Sequence, residues 1–190
     1  MLRRYRTLAL LGWLLGWELL LSMVLASATE RYVISLPKSQ FQFKAYSLLN
    51  QALGTFHTFA GEIVADAQHL SASQVRFVID AASIDTKNEK RDKHIRSKDF
   101  LFVEKFPQIS FVSTTITKDG LGYAVQGDLE IRGVTKRVTI PVTVEQRRDE
   151  MVVQGSISLN RKDFGVNYNA FFNPVQNEVD VVFTIVGAKP

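Results

Sequence analysis

The 190-residue chain contains no cysteine. That excludes disulfides, thiolate nucleophiles and cysteine-ligated metals. Histidine is scarce as well: His57, His69 and His94 are the three present, with no i, i+4 pair to make a metal site on one helix face. Charge of one sign does not accumulate either. The chain holds 23 Lys+Arg and 19 Asp+Glu, and residues 1–28 account for Arg3, Arg4, Arg6 and Glu18. Residues 29–190 therefore carry 20 basic and 18 acidic side chains, a net charge of +2. So even a balance gives no reason to expect nucleic acid, because phosphate binding rests on clustered cations. No internal repeat, low-complexity linker or nucleophile-and-base motif is visible, and no cofactor is expected.

A long apolar run occurs at the N-terminus. Arg3, Arg4 and Arg6 precede the uncharged, mostly aliphatic stretch Leu8 to Trp17, and Ala26-Ser27-Ala28 supplies small residues of the A-x-A type. This reads as an export signal, residues 1–28, cleaved to leave 29–190 in the periplasm or otherwise secreted. The alternative is a retained membrane anchor through residues 8–25, which approaches the ~20 residues of a bilayer span. Glu18, near its centre, would cost roughly 2.5 kcal/mol or more there. The remaining length suits one domain that builds its own core without staples.

After residue 28, apolar and polar residues alternate with period two, as in strands with one buried face. Leu121, Tyr123, Val125, Leu129 and Ile131 alternate with Gln126, Asp128 and Glu130. The same holds for Val138, Ile140, Val142 and Val144, for Val153, Ile157 and Leu159, for Val75, Phe77 and Ile79, and for Val179, Val181, Phe183 and Ile185. With Phe41 and Phe43 and the segments near 55–67 and 107–118, about eight strands are expected. Lys118-Asp119-Gly120 and Arg132-Gly133 are turn signals joining neighbours. Pro141 should mark an edge or bulge. The polar stretch Asp85 to Asp99 breaks the alternation and predicts a short helix. Eight antiparallel strands can form a sandwich or a closed barrel, and closure removes exposed edges.

Six segments follow one another in a recognisable order: Gly54-Thr55-Phe56-His57-Thr58-Phe59-Ala60-Gly61, Ser83-Ile84-Asp85-Thr86, Arg91 to Phe100, Phe106-Pro107-Gln108-Ile109-Ser110-Phe111, Gly127 to Lys136, and Asn160-Arg161-Lys162-Asp163-Phe164-Gly165. Together they resemble the YceI-like family over nearly all of residues 29–190. The resemblance implies an all-β, eight-stranded antiparallel lipocalin-like barrel with one short helix in a strand connection, usually periplasmic, enclosing a polyisoprenoid or similar amphiphile. The departures lie at the start, where Tyr32 and Leu36-Pro37 replace a Trp and an Asp-Pro turn frequent in the family.

On that reading the ligand is the bound lipid, and the candidate wall is Phe43, Phe56, Phe59, Phe77, Ile79, Phe111, Tyr123, Val125, Leu129, Phe164 and Phe183, with Phe100, Phe102 and Phe106 closing one end beside the helix. From the residues alone, the same positions are equally those of a solid core. Arg91, Asp92, His94 and Arg96 are the candidate polar mouth, meeting an anionic head group or a membrane surface; a solvated helix face is the plain alternative. Asp92 and His94 also have the composition of a charge-oriented histidine for acid/base chemistry on an isoprenoid. A non-catalytic binder is the favoured reading, with structural bonds for this pair. An outer-membrane barrel, with its apolar face outward, is a further rival. Self-association as a homodimer is left open.

Overall fold

The computed structural model describes residues 29–169 and 171–190, so the expected signal or anchor lies outside the described residues. Eleven strand segments are present: β1 (Glu30–Ile34), β2 (Gln40–Ser47), β3 (Gln51–Phe56), β4 (Phe59–Ala65), β5 (Gln74–Asp80), β6 (Ile84–Asp85), β7 (Gln108–Asp119), β8 (Gly122–Ile131), β9 (Val134–Arg147), β10 (Glu150–Asn160) and β11 (Val175–Ala188). They amount to eight strands, because three are broken. Short 3-10 turns at Leu36–Lys38 and Ala81–Ser83 interrupt β1/β2 and β5/β6, and residues 57–58 interrupt β3/β4. All pairings are antiparallel between sequence neighbours, and β11 closes the ring by pairing with β2 along Val175–Thr184 and with β1 at Gly187–Ala188. The result is the expected closed barrel, its ring completed through β11.

Turn chemistry sets the hairpins. Arg132 (φ 55°) and Gly133 (φ 73°) join β8 to β9 in two residues of left-handed backbone, the geometry whose twist matches the flanking strands. The β7–β8 connection uses Gly120 (φ 53°) and Leu121, which is fully exposed at the tip. Leu121 thus sits outside the inward series assigned to it, because β8 begins only at Gly122. Pro141 lies inside β9, one residue beyond Val142, where the β9–β10 ladder ends opposite Gly155. No bulge accompanies it: Pro141 pairs with Ala124 of β8 in regular register, and the β9–β10 ladder stops one residue short of it.

One helix, α1 (Glu89–Arg96), occurs among the described residues within the polar stretch. The Asn88 side chain accepts a hydrogen bond from the Arg91 amide and caps it. No helix among the described residues is long and apolar enough to cross a membrane.

The inward-facing positions form one core, but it fills the barrel unevenly. At the end away from α1, Tyr32, Ile63, Met151 and Ile185 are buried, and the Tyr32 hydroxyl accepts from Gln146 Nε2 at 2.8 Å. Across the middle, Phe41 meets Phe59, Phe77 and Phe183 with ring centroids 4.9, 5.1 and 5.6 Å apart, and Phe77 stacks on Phe111 at 5.4 Å. Room for Phe111 comes from Gly127, whose absent Cβ would fall on the edge of that ring. Each such ring contributes about 1.5–3 kcal/mol by leaving water. Outward positions on β9 are Thr135, Arg137, Thr139, Thr143 and Glu145, all exposed, the reverse of a lipid-facing barrel surface.

A cavity at the helix end of the barrel

Above the phenylalanine layer the strands part. β6 pairs with β3, while β7 pairs with β5, so α1 and the segment following it span the gap between β6 and β7. Likewise β9 takes β8 as its partner over Val134–Val142 and β10 over Val142–Arg147, and the ladder with β10 does not extend along Ser156–Asn160. Strands that separate cannot be filled by their own side chains. A cavity of about 660 Å³ remains, within the ~300–1,000 Å³ typical of ligand pockets.

Its wall is mainly apolar. Phe41 and Phe43 of β2, Phe56 of β3, Phe77 and Ile79 of β5, Ile109 of β7, Leu129 and Ile131 of β8, Ile157 and Leu159 of β10, and Val179, Val181 and Phe183 of β11 all face it. Phe164 and Val166 enter from the turn after β10, and Ile95, Phe100 and Leu101 from the helix and its exit. Gly54 lets Phe43 lie against β3, since a Cβ there would strike the ring.

Of the wall residues expected from sequence, Phe43, Phe56, Phe77, Ile79, Phe100, Leu129, Phe164 and Phe183 line this cavity. Six do not. Phe59, Phe111 and Val125 belong to the packed layer below it. Tyr123 stands near the far end of β8, with Lys118 Nζ 4.5 Å from its ring. Phe102 and Phe106 pack on each other at 6.0 Å, with Phe106 over Gly133. Alternation gives which side of a strand a residue faces, not how far along the barrel it lies.

The rim is polar, and it is built differently from the expected mouth. Asp92 is buried: it accepts from the Thr86 amide at 2.9 Å and from the Thr86 hydroxyl at 2.5 Å. Arg91 completes the bracket, its Nε donating to Thr86 Oγ1 and its Nη2 to the Thr86 carbonyl, both at 2.8 Å. Arg96 turns to the Ala82 and Ile84 carbonyls and ties the helix to the 81–83 turn. So Arg91 and His94 line the cavity, whereas Asp92 and Arg96 hold the helix down. Nor do Asp92 and His94 pair. Two residues apart on a helix, they project about 200° from one another. His94 instead places Nε2 3.1 Å from Asp99, with ring centroids 5.0 Å from Phe100 and 4.8 Å from Tyr168.

Sequence reasoning missed much of the lining, including the apolar Phe41, Ile109, Ile131 and Ile157 and, among the polar side chains, Tyr168 and Arg161. Arg161 is 6% exposed and donates to the carbonyls of Gln176, Val166 and Val175. Burial pushes its guanidinium down from the ordinary arginine value. The one signal for it was its place in the last of the six ordered motifs. Among the described residues no group of three His, Asp or Glu could hold a metal ion.

The sequence of the YceI-like domain matches residues 32–187. Protein YceI of Escherichia coli O157:H7 is 35% identical over 158 residues, covering 79% of this chain and 79% of that protein. Among solved structures, BcnA of Burkholderia cenocepacia superposes with a TM-score of 0.76 at 28% identity, over 80% of this chain and 98% of its own. A polyisoprenoid binding domain from Saccharophagus degradans gives 0.63 at 17% identity, over 84% and 98%, a likeness of fold. The split barrel, its helix-side cavity and the match along nearly the whole described chain place this protein in the YceI-like family.

Proposed function

We propose that this protein is an exported, non-catalytic binder that encloses a long apolar chain, a polyisoprenoid, an isoprenoid quinone or a similar amphiphile, for sequestration, storage or transport. The observation that carries the reading is the apolar cavity, walled by phenylalanines from four strands and open at the helix end. Burying such a chain returns ~0.8 kcal/mol per CH₂, roughly 12 kcal/mol gross for fifteen carbons. Association costs of ~4–15 kcal/mol absorb much of that, so a preformed tunnel and a long tail are what make binding useful. The Saccharophagus neighbour is described as polyisoprenoid-binding, which agrees with this ligand class.

Acid/base chemistry at Asp92 and His94 finds no support in their geometry, since Asp92 is committed to Thr86 and points away from the imidazole. Contact with a membrane surface does find support. Leu48 and Leu49 on the β2–β3 turn and Phe171 and Phe172 on the β10–β11 connection are exposed beside the opening, the two rings 91% and 86% so. Hydrogen bonds from the Leu48 amide to Pro174 O and from the Leu49 amide to Asn173 Oδ1 join the two loops into one apolar crest. The connections at this end, residues 48–50, 86–107, 132–133 and 161–174, hold ten Lys/Arg and five Asp/Glu. Those at the other end, 66–73, 120–121 and 148–149, hold Arg148, Asp66 and Asp149. An apolar tip within a cationic rim suits an anionic bilayer.

The test is native mass spectrometry of the purified chain, followed by extraction of what co-purifies. A bound lipid of long apolar tail is expected. A protein that comes through empty and takes up no added prenyl lipid would refute the proposal.

A further inference from the structure

The two gaps in the barrel wall are closed in different ways. Between β6 and β7 sits α1, tied down by Arg96 to the Ala82 and Ile84 carbonyls and by Asp92 to Thr86. Between β9 and β10 the strands simply part. β10 pairs with β11 along its whole length, Glu150–Asn160, but with β9 only over Glu150–Gly155. The cause lies in the next residue of β9. The Val142 carbonyl lies against Gly122 on the β8 side and the Pro141 carbonyl against Gly155 on the β10 side, since successive residues of a strand present their backbone groups to opposite neighbours. Pro141 has no N–H to donate towards β10, and the ladder ends. Beyond it the inner lips of the seam are apolar: Ile140 on β9 and Ile157 and Leu159 on β10 line the cavity. Outside the last rung, a groove of about 550 Å³ reaches Phe183, which lines the cavity too. At the helix end a side chain crosses the seam, Arg132 Nη1 donating to the Gly165 carbonyl.

We propose that the β9–β10 seam is the route by which the apolar chain enters and leaves, the strands swinging apart beyond the Val142–Gly155 rung when the Arg132–Gly165 bond opens. The inference rests on the reading of the cavity as an apolar-chain site, and adds the path into it. Parting β9 from β10 beyond that rung breaks no ladder bond, whereas parting β8 from β9 or β10 from β11 over the same length breaks several. A chain that slips in sideways stays against Ile140, Ile157 and Leu159 throughout. It need not be threaded lengthwise through the helix end.

Because the chain has no cysteine, Thr139→Cys with Ser158→Cys gives one pair of thiols across the seam. Both positions are exposed, and they would face one another if the register of Val142 with Gly155 continued. Gln42→Cys with Val182→Cys, exposed partners on the fully joined β2 and β11, is the control. Stopped-flow mixing with parinaryl alcohol, a neutral chain that fluoresces on leaving water, gives uptake and release rates before and after linking with a short bis-maleimide. The linked seam should slow both rates by about tenfold or more and leave affinity unchanged, because a route sets the barrier and not the end states. The linked control should change neither. Arg132→Asn, which removes the crossing bond and keeps a residue suited to the left-handed turn, should speed both. Should the linker not close the seam, Pro141→Thr decides the matter: by restoring an N–H to the stopped ladder it should slow both rates. Rates untouched by these changes, or slowed as much by the control, overturn the route and leave the cavity reading standing. An unlinked chain that takes up no parinaryl alcohol overturns the cavity reading itself.

Discussion

His94 Nε2 lies 3.1 Å from a carboxylate oxygen of Asp99, five residues later and across the helix terminus, rather than beside Asp92 on its own helix. The pair is half exposed, with side chains 42% and 40% accessible, and Phe100 and Tyr168 flank the imidazole. Asp92 meanwhile is a buried structural acceptor.

Substituting the two residues should therefore have unequal effects. Asp92→Ala leaves the buried Thr86 amide and hydroxyl without their acceptor and is expected to cost about 2–3 kcal/mol of stability. His94→Ala removes an exposed pair and should cost about 1 kcal/mol or less. Urea unfolding measures both, and native mass spectra of both chains should still contain ligand. A His94→Ala chain more damaged than Asp92→Ala would contradict this assignment.

Two glycines test the division of the barrel into a packed layer and an open one. At Gly127 an added Cβ meets the ring of the fully buried Phe111 and the Val112 carbonyl, neither of which can give way. Gly127→Ala should lose about 1–3 kcal/mol. At Gly54 the neighbours are the far end of Phe43 and a Thr86 methyl, and Phe43 faces empty volume. Gly54→Ala should cost less stability but swing the ring into the cavity and lower ligand occupancy in native mass spectra. Equal losses of stability would argue that the helix end is as tightly filled as the rest.

Acid should loosen the junction of β3 and β6. Asp85 accepts from the Lys87 ammonium at 2.6 Å, the Lys87 amide at 2.7 Å and His57 Nε2 at 3.1 Å. The Lys87 side chain first, then its amide and His57, hold the Asp85 carboxyl far below the usual range. A carboxyl depressed on folding stabilises the protein above its unfolded value, ~3.9, and that contribution fades as pH falls below it. Asp85→Asn should be the less stable chain at pH 7, and the two urea midpoints should converge as pH drops from 5 towards 2. A gap that stays constant with pH would exclude this titration.

The apolar crest predicts orientation on a bilayer. Because the chain has no cysteine, Phe172→Cys and Leu121→Cys each offer one labelling site, at opposite ends of the barrel. With an environment-sensitive fluorophore, the label at 172 should shift to the blue on vesicles containing phosphatidylglycerol, and the label at 121 should not. Replacing Leu48, Leu49 and Phe171 by Ser should abolish the shift at 172. The same shift without vesicles would mean that a second copy of the chain, not lipid, covers the crest.

Much of the barrel was legible because its information is local. Alternation fixed the inward faces of β5, β8, β9, β10 and β11, left-handed turn residues fixed Arg132-Gly133, and a loss of alternation with helix formers fixed α1. The family resemblance of the six motifs supplied closure and pointed to the ligand class that we propose. Leu121 misled because it continues the parity of β8 beyond the strand's own end.

What tertiary structure decided is where along that inward face the barrel is full and where it is hollow. Phe111 and Phe77 have the same parity and pair across neighbouring strands, yet Phe111 is closed off beneath Gly127 while Phe77 reaches the cavity. The difference arises from strands parting at β6/β7 and β9/β10, a relation between residues far apart in sequence. The same holds for charge. Arg161 reads as one more surface cation in a polar motif, and only folding removes it from water, bonds it to three carbonyls and leaves it facing an apolar cavity without a counter-ion. Periodicity is a property of neighbours along a chain, whereas empty space and uncompensated charge belong to neighbours that the fold brings together.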